Sequence, residues 1–322
     1  MTRRSPALDL VRAVCIIGVV TTHFVGNFVP RRRWNSQLID ISELGSFGVT
    51  GFFLLSSYLL TKILLKEVAR GQRRIWKRYL TRRALRIWPL YFSMVAVATV
   101  LAALVASGIS SAGWLATFTY NWVSWSRPTA SWLGHFWSVC AEEQLYFVIP
   151  LLSFAPFRIR WKALACIALI GPVARFYTVH HYVYPAVWNF TTSHLDTFSI
   201  GMLLASLDFE GPPRWRAIRE WLGKSGWAAM VGSVILLVLV AGALSSPVDL
   251  FASSEAVVSY LAATLIFVWL LLALTERDTG TGQRGYGCLQ WVGQRSYGAP
   301  RVAVGTGDPR LVPGVRSRLR FL

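Results

Sequence analysis

The sequence predicts an all-α polytopic membrane protein, a bundle of about eight or nine transmembrane helices with its N-terminus in the cytoplasm. Three observations predict it. The chain is 54% hydrophobic and only 15% charged, with a mean hydropathy of +0.46, whereas soluble domains carry about a quarter charged residues. Apolar stretches recur at lengths close to the ~20 residues that cross a bilayer core. Basic residues gather in every second connecting loop instead of being spread evenly.

Taken in order, the apolar stretches predict spans at 8–29, 45–65, 87–107, 134–155, 162–180, 194–208, 226–245 and 254–275. The first, Leu8 to Val29, lacks the small-residue cleavage site of a signal peptide. The second is dense in Phe and Leu, and the third follows a basic segment directly. The fourth runs from His135 through Glu142-Glu143-Gln144 into an apolar half, and the sixth is short. Between the third and fourth, residues 112–124 carry Trp114, Tyr120 and Trp122, which suit an interfacial or re-entrant piece. Arg3 and Arg4 precede span one, and a run from Lys66 to Arg86 separates spans two and three. Arg158, Arg160 and Lys162 follow span four, Arg214, Arg216, Arg219 and Lys224 follow span six, and Arg277 and Arg284 follow span eight. The other loops are poor in Lys and Arg apart from Arg31 to Arg33 and Arg127. This sidedness puts the N-terminus and every even-numbered turn in the cytoplasm. The net charge of +18 then sits in cytoplasmic loops facing anionic lipid, and no soluble basic domain offers itself to nucleic acid. Cys15, Cys140, Cys166 and Cys288 lack paired metal-ligand spacing and read as small buried hydrophobes.

Within the first span, Arg12 and His23 lie eleven residues apart. That spacing puts them within about 20° of one helix face and about 16 Å apart along the axis. Ionisable groups in a span face a protein interior or a water-filled cavity. The stripe reads either as part of a site along the membrane normal or as a snorkelling arginine below a packing histidine. His135 opens span four, and Glu142 lies about 12 Å below the outer surface, close to the depth of His23. A histidine oriented by a carboxylate is an arrangement suited to proton transfer. Glu143 and Gln144 read as hydrogen-bonded ties between helices. Arg83 and Arg86 share a helix face; arginine's planar donors suit phosphate oxygens, and a simple topological anchor is the alternative. Asp196, at the start of span six, could orient a base, bind an acceptor hydroxyl or cap its helix. The sequence holds no P-loop, dinucleotide fingerprint or His-x-x-x-His pair.

Together these segments resemble the acyltransferase-3 family of integral membrane O-acyltransferases. Leu8-Asp9-Leu10-Val11-Arg12 through His23 looks like its opening motif. Phe52-Phe53-Leu54-Leu55-Ser56-Ser57-Tyr58-Leu59 is similar to its second-helix signature, with Ser57 standing where the family has glycine. Arg82 to Tyr91 matches the basic segment before the third helix, Trp137-Ser138 through Glu142 to Tyr146 the fourth-helix motif, and Leu195-Asp196 to Gly201 a later one. The resemblance implies transfer of an acyl group, often acetyl, from cytoplasmic acyl-CoA, without a metal. The acceptor is a hydroxyl of a carbohydrate, a lipid-linked glycan or a glycosylated metabolite. It implies that His23, helped by Glu142, is the catalytic base. Arg12, Arg83 and Arg86 would hold the CoA, and Asp196 and His135 would orient substrate. Membrane lipids, acyl-CoA and the acceptor are the implied partners, and a bacterial plasma membrane the implied location.

The resemblance runs out near Tyr297. Residues 298–322 hold Pro300, Pro309 and Pro313 with Arg301, Arg310, Arg316, Arg318 and Arg320 and no sustained apolar run, a composition that makes no membrane helix. The expected organisation is a membrane acyltransferase domain over 1–297 and an aberrant, disordered tail over 298–322, resembling a shifted reading frame, where the last family helix is missing. Two other readings fit the same residues. One is a transporter of lipid-linked glycan using Arg12, His23 and Glu142 as a proton relay; the other is an inactive remnant of an acyltransferase.

Overall fold

The computed structural model describes residues 6–28, 44–104, 111–126, 133–225, 227–228, 230–235 and 256–277. Every described element is helical. The long helices are α1 (Pro6–Phe28), α2 (Gly48–Ala69), α3 (Ile75–Leu104) and, after a short α4 (Ala112–Ala116), α5 (Phe136–Phe154) and α6 (Phe157–His181). A one-turn α7 (Ala186–Asn189) leads to α8 (Leu195–Glu210), α9 (Pro213–Ser225) and α10 (Ala256–Arg277). A 3₁₀ turn, Leu44–Phe47, precedes α2. Among the described residues, five stretches are long and apolar enough to cross a membrane: Leu8–Val25, Leu44–Ala69, Ile75–Leu101, Phe157–His181 and Ala256–Thr275. α5 has 19 residues but is diluted by Glu142, Glu143 and Gln144, and α8 has only 16. The expected span 226–245 lies mostly, and the tail 298–322 wholly, outside the described residues.

α3 begins at Ile75 rather than near 87, because Lys and Arg are good helix formers and carry the helix back through the basic segment. Its 30 residues make about 45 Å of helix, longer than a bilayer core of about 30 Å. The following segment does dip back. The Tyr91 hydroxyl donates to the Leu115 carbonyl at 2.8 Å, at a level about 20 Å short of the far end of α3.

Side-chain contacts fix the helix directions. Gly18 packs on Gly45, and Gly48 on Cys15, so α1 and α2 are antiparallel. Trp88 meets Glu143 and Arg83 meets Tyr146, so α3 opposes α5. Phe53 stacks on Phe198 and Tyr58 bonds Asp208, so α2 and α8 run together, with α6 against them through Arg175 to Asp196 and Arg160 to Glu210. Thr264 meets Thr197, and Thr275 meets Arg219 beyond α8, aligning α10 with α8. One end of the bundle therefore collects the basic segments, and we call it the basic end.

Small residues let these helices touch, as they do where no hydrophobic drive exists between helices in lipid. Gly201 makes room for Ser57 and the Leu54 backbone, and a Cβ at Gly171 would stand 2.7 Å from the Asp196 nitrogen. The larger core cluster joins Cys15, Phe53, Trp137, Phe198, Tyr260 and Phe267. A smaller one at the basic end joins Leu60, Leu64, Tyr79, Tyr146 and Ile149. Cys15 and Cys140 are buried as expected, but Cys166 is exposed, because α6 is mostly uncovered by the other helices. Cys288 lies outside the described residues.

Candidate functional site

A polar column climbs from the basic end between α3 and α5. The Arg83 guanidinium lies over the Tyr146 ring, 4.9 Å from its centroid. The Tyr146 hydroxyl donates to Glu142 Oε2 at 2.8 Å, one turn along α5. Glu142 also feels the charges of Arg83, Glu143 and Arg86. The Trp88 indole N–H donates to Glu143 Oε2 at 3.1 Å. Glu143 is 3% exposed, and its Oε1 has no hydrogen-bond partner. Two guanidiniums and two carboxylates thus share one seam. Charges taken out of water are costly singly and tolerable only when matched in this way.

Gln144, the next residue, does tie elements together. It donates to the Phe118 carbonyl at 2.7 Å and to Asn121 at 2.8 Å, and accepts from Thr191 at 2.6 Å and Trp122 at 3.2 Å. Glu143 bonds across to α3 through Trp88, the tie expected of it.

The two histidines sit at the other end. His23 and His135 are both exposed and close enough for their charges to interact. His135 immediately precedes α5, its ring edge-on to Phe136 at 4.8 Å. The depth reading sets His23 beside Glu142. The structure instead brings His23 within electrostatic range of His135, about 10 Å outward of Glu142 along α5, and sets Glu142 within range of the arginines. The physical reason is lateral: α1 packs on α2 and α10, whereas α5 packs on α2 and faces α3. Arg12, nearer the basic end on α1, is held by Asp9 at 2.8 Å.

Asp196 has neither of its carboxylate oxygens to spare. Arg175 Nη1 donates to Oδ1 at 2.9 Å and Nη2 to Oδ2 at 2.6 Å, and the side chains are 0% and 1% exposed. Arg175 also donates to the Ser193 carbonyl and lies over the Tyr260 ring at 5.1 Å. Beside this pair His194 is enclosed by Phe53, Trp137, Trp188 and Tyr260. Its Nε2–H donates to the Trp188 carbonyl at 2.8 Å, and its Nδ1 has no hydrogen-bond partner. Sequence reasoning passes over Arg175 and the enclosure of His194. The first carries a readable signal, an arginine deep in the stretch 162–180; the second depends on aromatic residues from four separate segments. Arg160, expected in a basic loop, is instead buried, donating to Ser206, to the Ser153 and Ala155 carbonyls, and to Glu210.

Chemically, the basic end offers a paired-guanidinium grip for an anionic ligand, and the far end offers imidazoles able to take a proton. Among the described residues, no group of three or more His, Cys, Asp or Glu side chains could hold a metal ion.

Comparison with known proteins bears on this arrangement. The acyltransferase-3 family model, described as an acyltransferase domain, matches residues 5–299. O-acetyltransferase OatA of Staphylococcus aureus (strain NCTC 8325 / PS 47) is 26% identical over 162 residues, 47% of this chain and 25% of that protein. Peptidoglycan O-acetyltransferase OatA of Listeria monocytogenes serovar 1/2a is 31% identical over 158 residues, covering 45% and 23%. Putative peptidoglycan O-acetyltransferase YrhL of Bacillus subtilis (strain 168) is 29% identical over 164 residues, covering 46% and 24%. The aligned part spans about a quarter of the length of these relatives. No solved structure matches the chain.

Proposed function

The chain belongs to the acyltransferase-3 family, and from that premise we propose that it is a membrane O-acyltransferase moving an acyl group from cytoplasmic acyl-CoA to a glycan hydroxyl. The observation that carries the reading is the seam of Arg83, Arg86, Glu142 and Tyr146, which rises from the basic end toward the histidines. On the positive-inside bias the basic end faces the cytoplasm. Arg83 and Arg86 bind phosphate oxygens of the donor there, as guanidinium forks do. Glu142 and Tyr146 act on those arginines by holding them in place, so that Glu142 is a positioning residue in this scheme. Arg12 extends the basic lining along α1, and Asp196 acts through Arg175 on the helix pair α6 and α8.

His23 is the base. It takes the proton from the acceptor hydroxyl as the oxygen attacks the thioester carbonyl; the new C–O bond forms and the C–S bond breaks. The departing thiolate then receives the proton. His135, beside it, hydrogen-bonds and orients the acceptor at the outer mouth. The relatives named peptidoglycan O-acetyltransferases support an acetyl group and a cell-envelope glycan as donor and acceptor.

The test is acetyl transfer from acetyl-CoA to envelope glycan in membranes carrying the chain. Transfer should fall by about 100-fold or more in His23→Ala, the usual scale of a general-base loss. It should require several times more acetyl-CoA for half-saturation in Arg83→Ala/Arg86→Ala. Undiminished transfer in His23→Ala would remove that residue from the chemistry, and absence of any transfer in the parent chain would remove the activity.

A further inference from the structure

Where α8 hands over to α9 at Gly211-Pro212, the chain forms an open cavity of about 370 Å³, a volume suited to a small ligand. Its wall includes Asp208, Trp215, Arg216, Arg219 and Glu220. Asp208 is already matched. Its Oδ2 accepts from the Tyr58 hydroxyl at 2.7 Å and its Oδ1 from the Trp215 indole at 3.0 Å, with Arg219 at 3.3 Å and Lys62 at 3.8 Å. Glu220 pairs with Lys224 one turn on, which holds its carboxyl below the usual carboxylate range. Arg216 is exposed and makes no ion pair among the described residues. The two arginines of the wall equal its two carboxylates, but those carboxylates are also met from outside it by Lys62 and Lys224, which leaves Arg216 as the exposed cation of the group.

We propose that this cavity is a second phosphate-binding site, taking a phosphate mono- or diester on Arg216 with Arg219 as the supporting cation. It is separate from the Arg83 and Arg86 seam because α2 stands between them. Tyr58 and Lys62 face α8, while Leu60 and Leu64 turn the opposite way on the helix to pack with Tyr79 and Tyr146. At a membrane surface, such a phosphate comes from a lipid headgroup or from a soluble phosphate ester. The exposed cation and the fork geometry suit both.

The experiment uses the full chain in nanodiscs of neutral phosphatidylcholine, comparing wild type with Arg216→Ala and Arg216→Lys. Binding of inorganic pyrophosphate and of CoA is followed by calorimetry, and retention of phosphatidylglycerol by native mass spectrometry. Arg216→Ala should weaken at least one of these by about tenfold, the scale of a lost charge-assisted contact, and Arg216→Lys should restore part of it. Loss confined to phosphatidylglycerol supports the site and makes it a headgroup site; loss confined to CoA or pyrophosphate supports it as a soluble-ester site. All three probes binding equally to Arg216→Ala overturns the proposal. Pyrophosphate binding that depends on Arg216 in a protein that transfers no acyl group leaves this site standing and removes the enzymatic reading. CoA binding indifferent to Arg216 but lost in Arg83→Ala/Arg86→Ala leaves the enzymatic reading standing. An unchanged unfolding midpoint checks that the exposed substitution has left the fold alone.

Discussion

Arg175 brings a full positive charge into the interior of α6, and Asp196 answers it with two hydrogen bonds. Removing one partner of such a pair leaves an uncompensated buried charge, at a cost of about 3–5 kcal/mol, whereas apolar residues at both positions remove the problem. Arg175→Leu and Asp196→Leu should each lower the unfolding midpoint in detergent sharply, and the double variant should recover most of it. A double variant no better than the worse single would show that the carboxylate does more than balance the arginine. Arg175 is legible in the sequence by the signal that marks Arg12 and His23, an ionisable residue within an apolar stretch. The partner of His23 is not. Depth along the membrane normal can be counted from helix rise, but it says nothing about which helices touch, and the residue found near His23 is His135, just ahead of α5. His23→Ala and His135→Ala should therefore show coupled effects on acetyl transfer. Their double variant should lose less than the product of the single losses, as for residues acting as a unit. Strictly multiplicative losses would separate the two histidines.

Helices α2 and α8 meet at Gly201, where any side chain would press on Ser57 and on the backbone at Leu54. Overpacking a tight contact costs about 1–3 kcal/mol, so Gly201→Leu should destabilise the bundle, while Gly113→Leu, where a Cβ meets nothing within 4 Å, should not. Equal unfolding curves for the two would mean that the α2–α8 contact gives way easily. The long spans are legible from hydropathy because each apolar run exceeds the length of a buried soluble helix. The true start of α3 is not, since a basic segment reads equally well as loop or as helix until a partner is known. Tyr79, on that basic stretch, packs with Leu60, Leu64 and Tyr146, and this contact with α2 and α5 fixes the early turns of α3 as helix. Pro89, Pro150 and Pro172 sit inside their helices, as bundles permit when neighbours satisfy the freed backbone groups.

For the molecule as a whole, the alternation of basic and neutral loops sets an orientation that labelling can test. On a cysteine-free background, Arg73→Cys should react with an impermeant thiol reagent only after the membrane is opened. Ser126→Cys, exposed near the opposite end, should react in intact cells; the reverse pattern would invert the bundle and move the arginine seam to the outside. The architecture also has a history built into it. Arg175 and Asp196 are 21 residues apart in sequence, so the ribosome delivers the cation well before its counter-ion. An arginine released alone into lipid costs about 2.5–3.5 kcal/mol even on insertion scales. On that cost α6 should stay at the insertion machinery until α8 arrives, and Asp196→Leu should lower the fraction of α6 that inserts in a glycosylation-mapping assay. Equal insertion of α6 with and without the Asp196 carboxylate would confine the pair's work to the finished bundle.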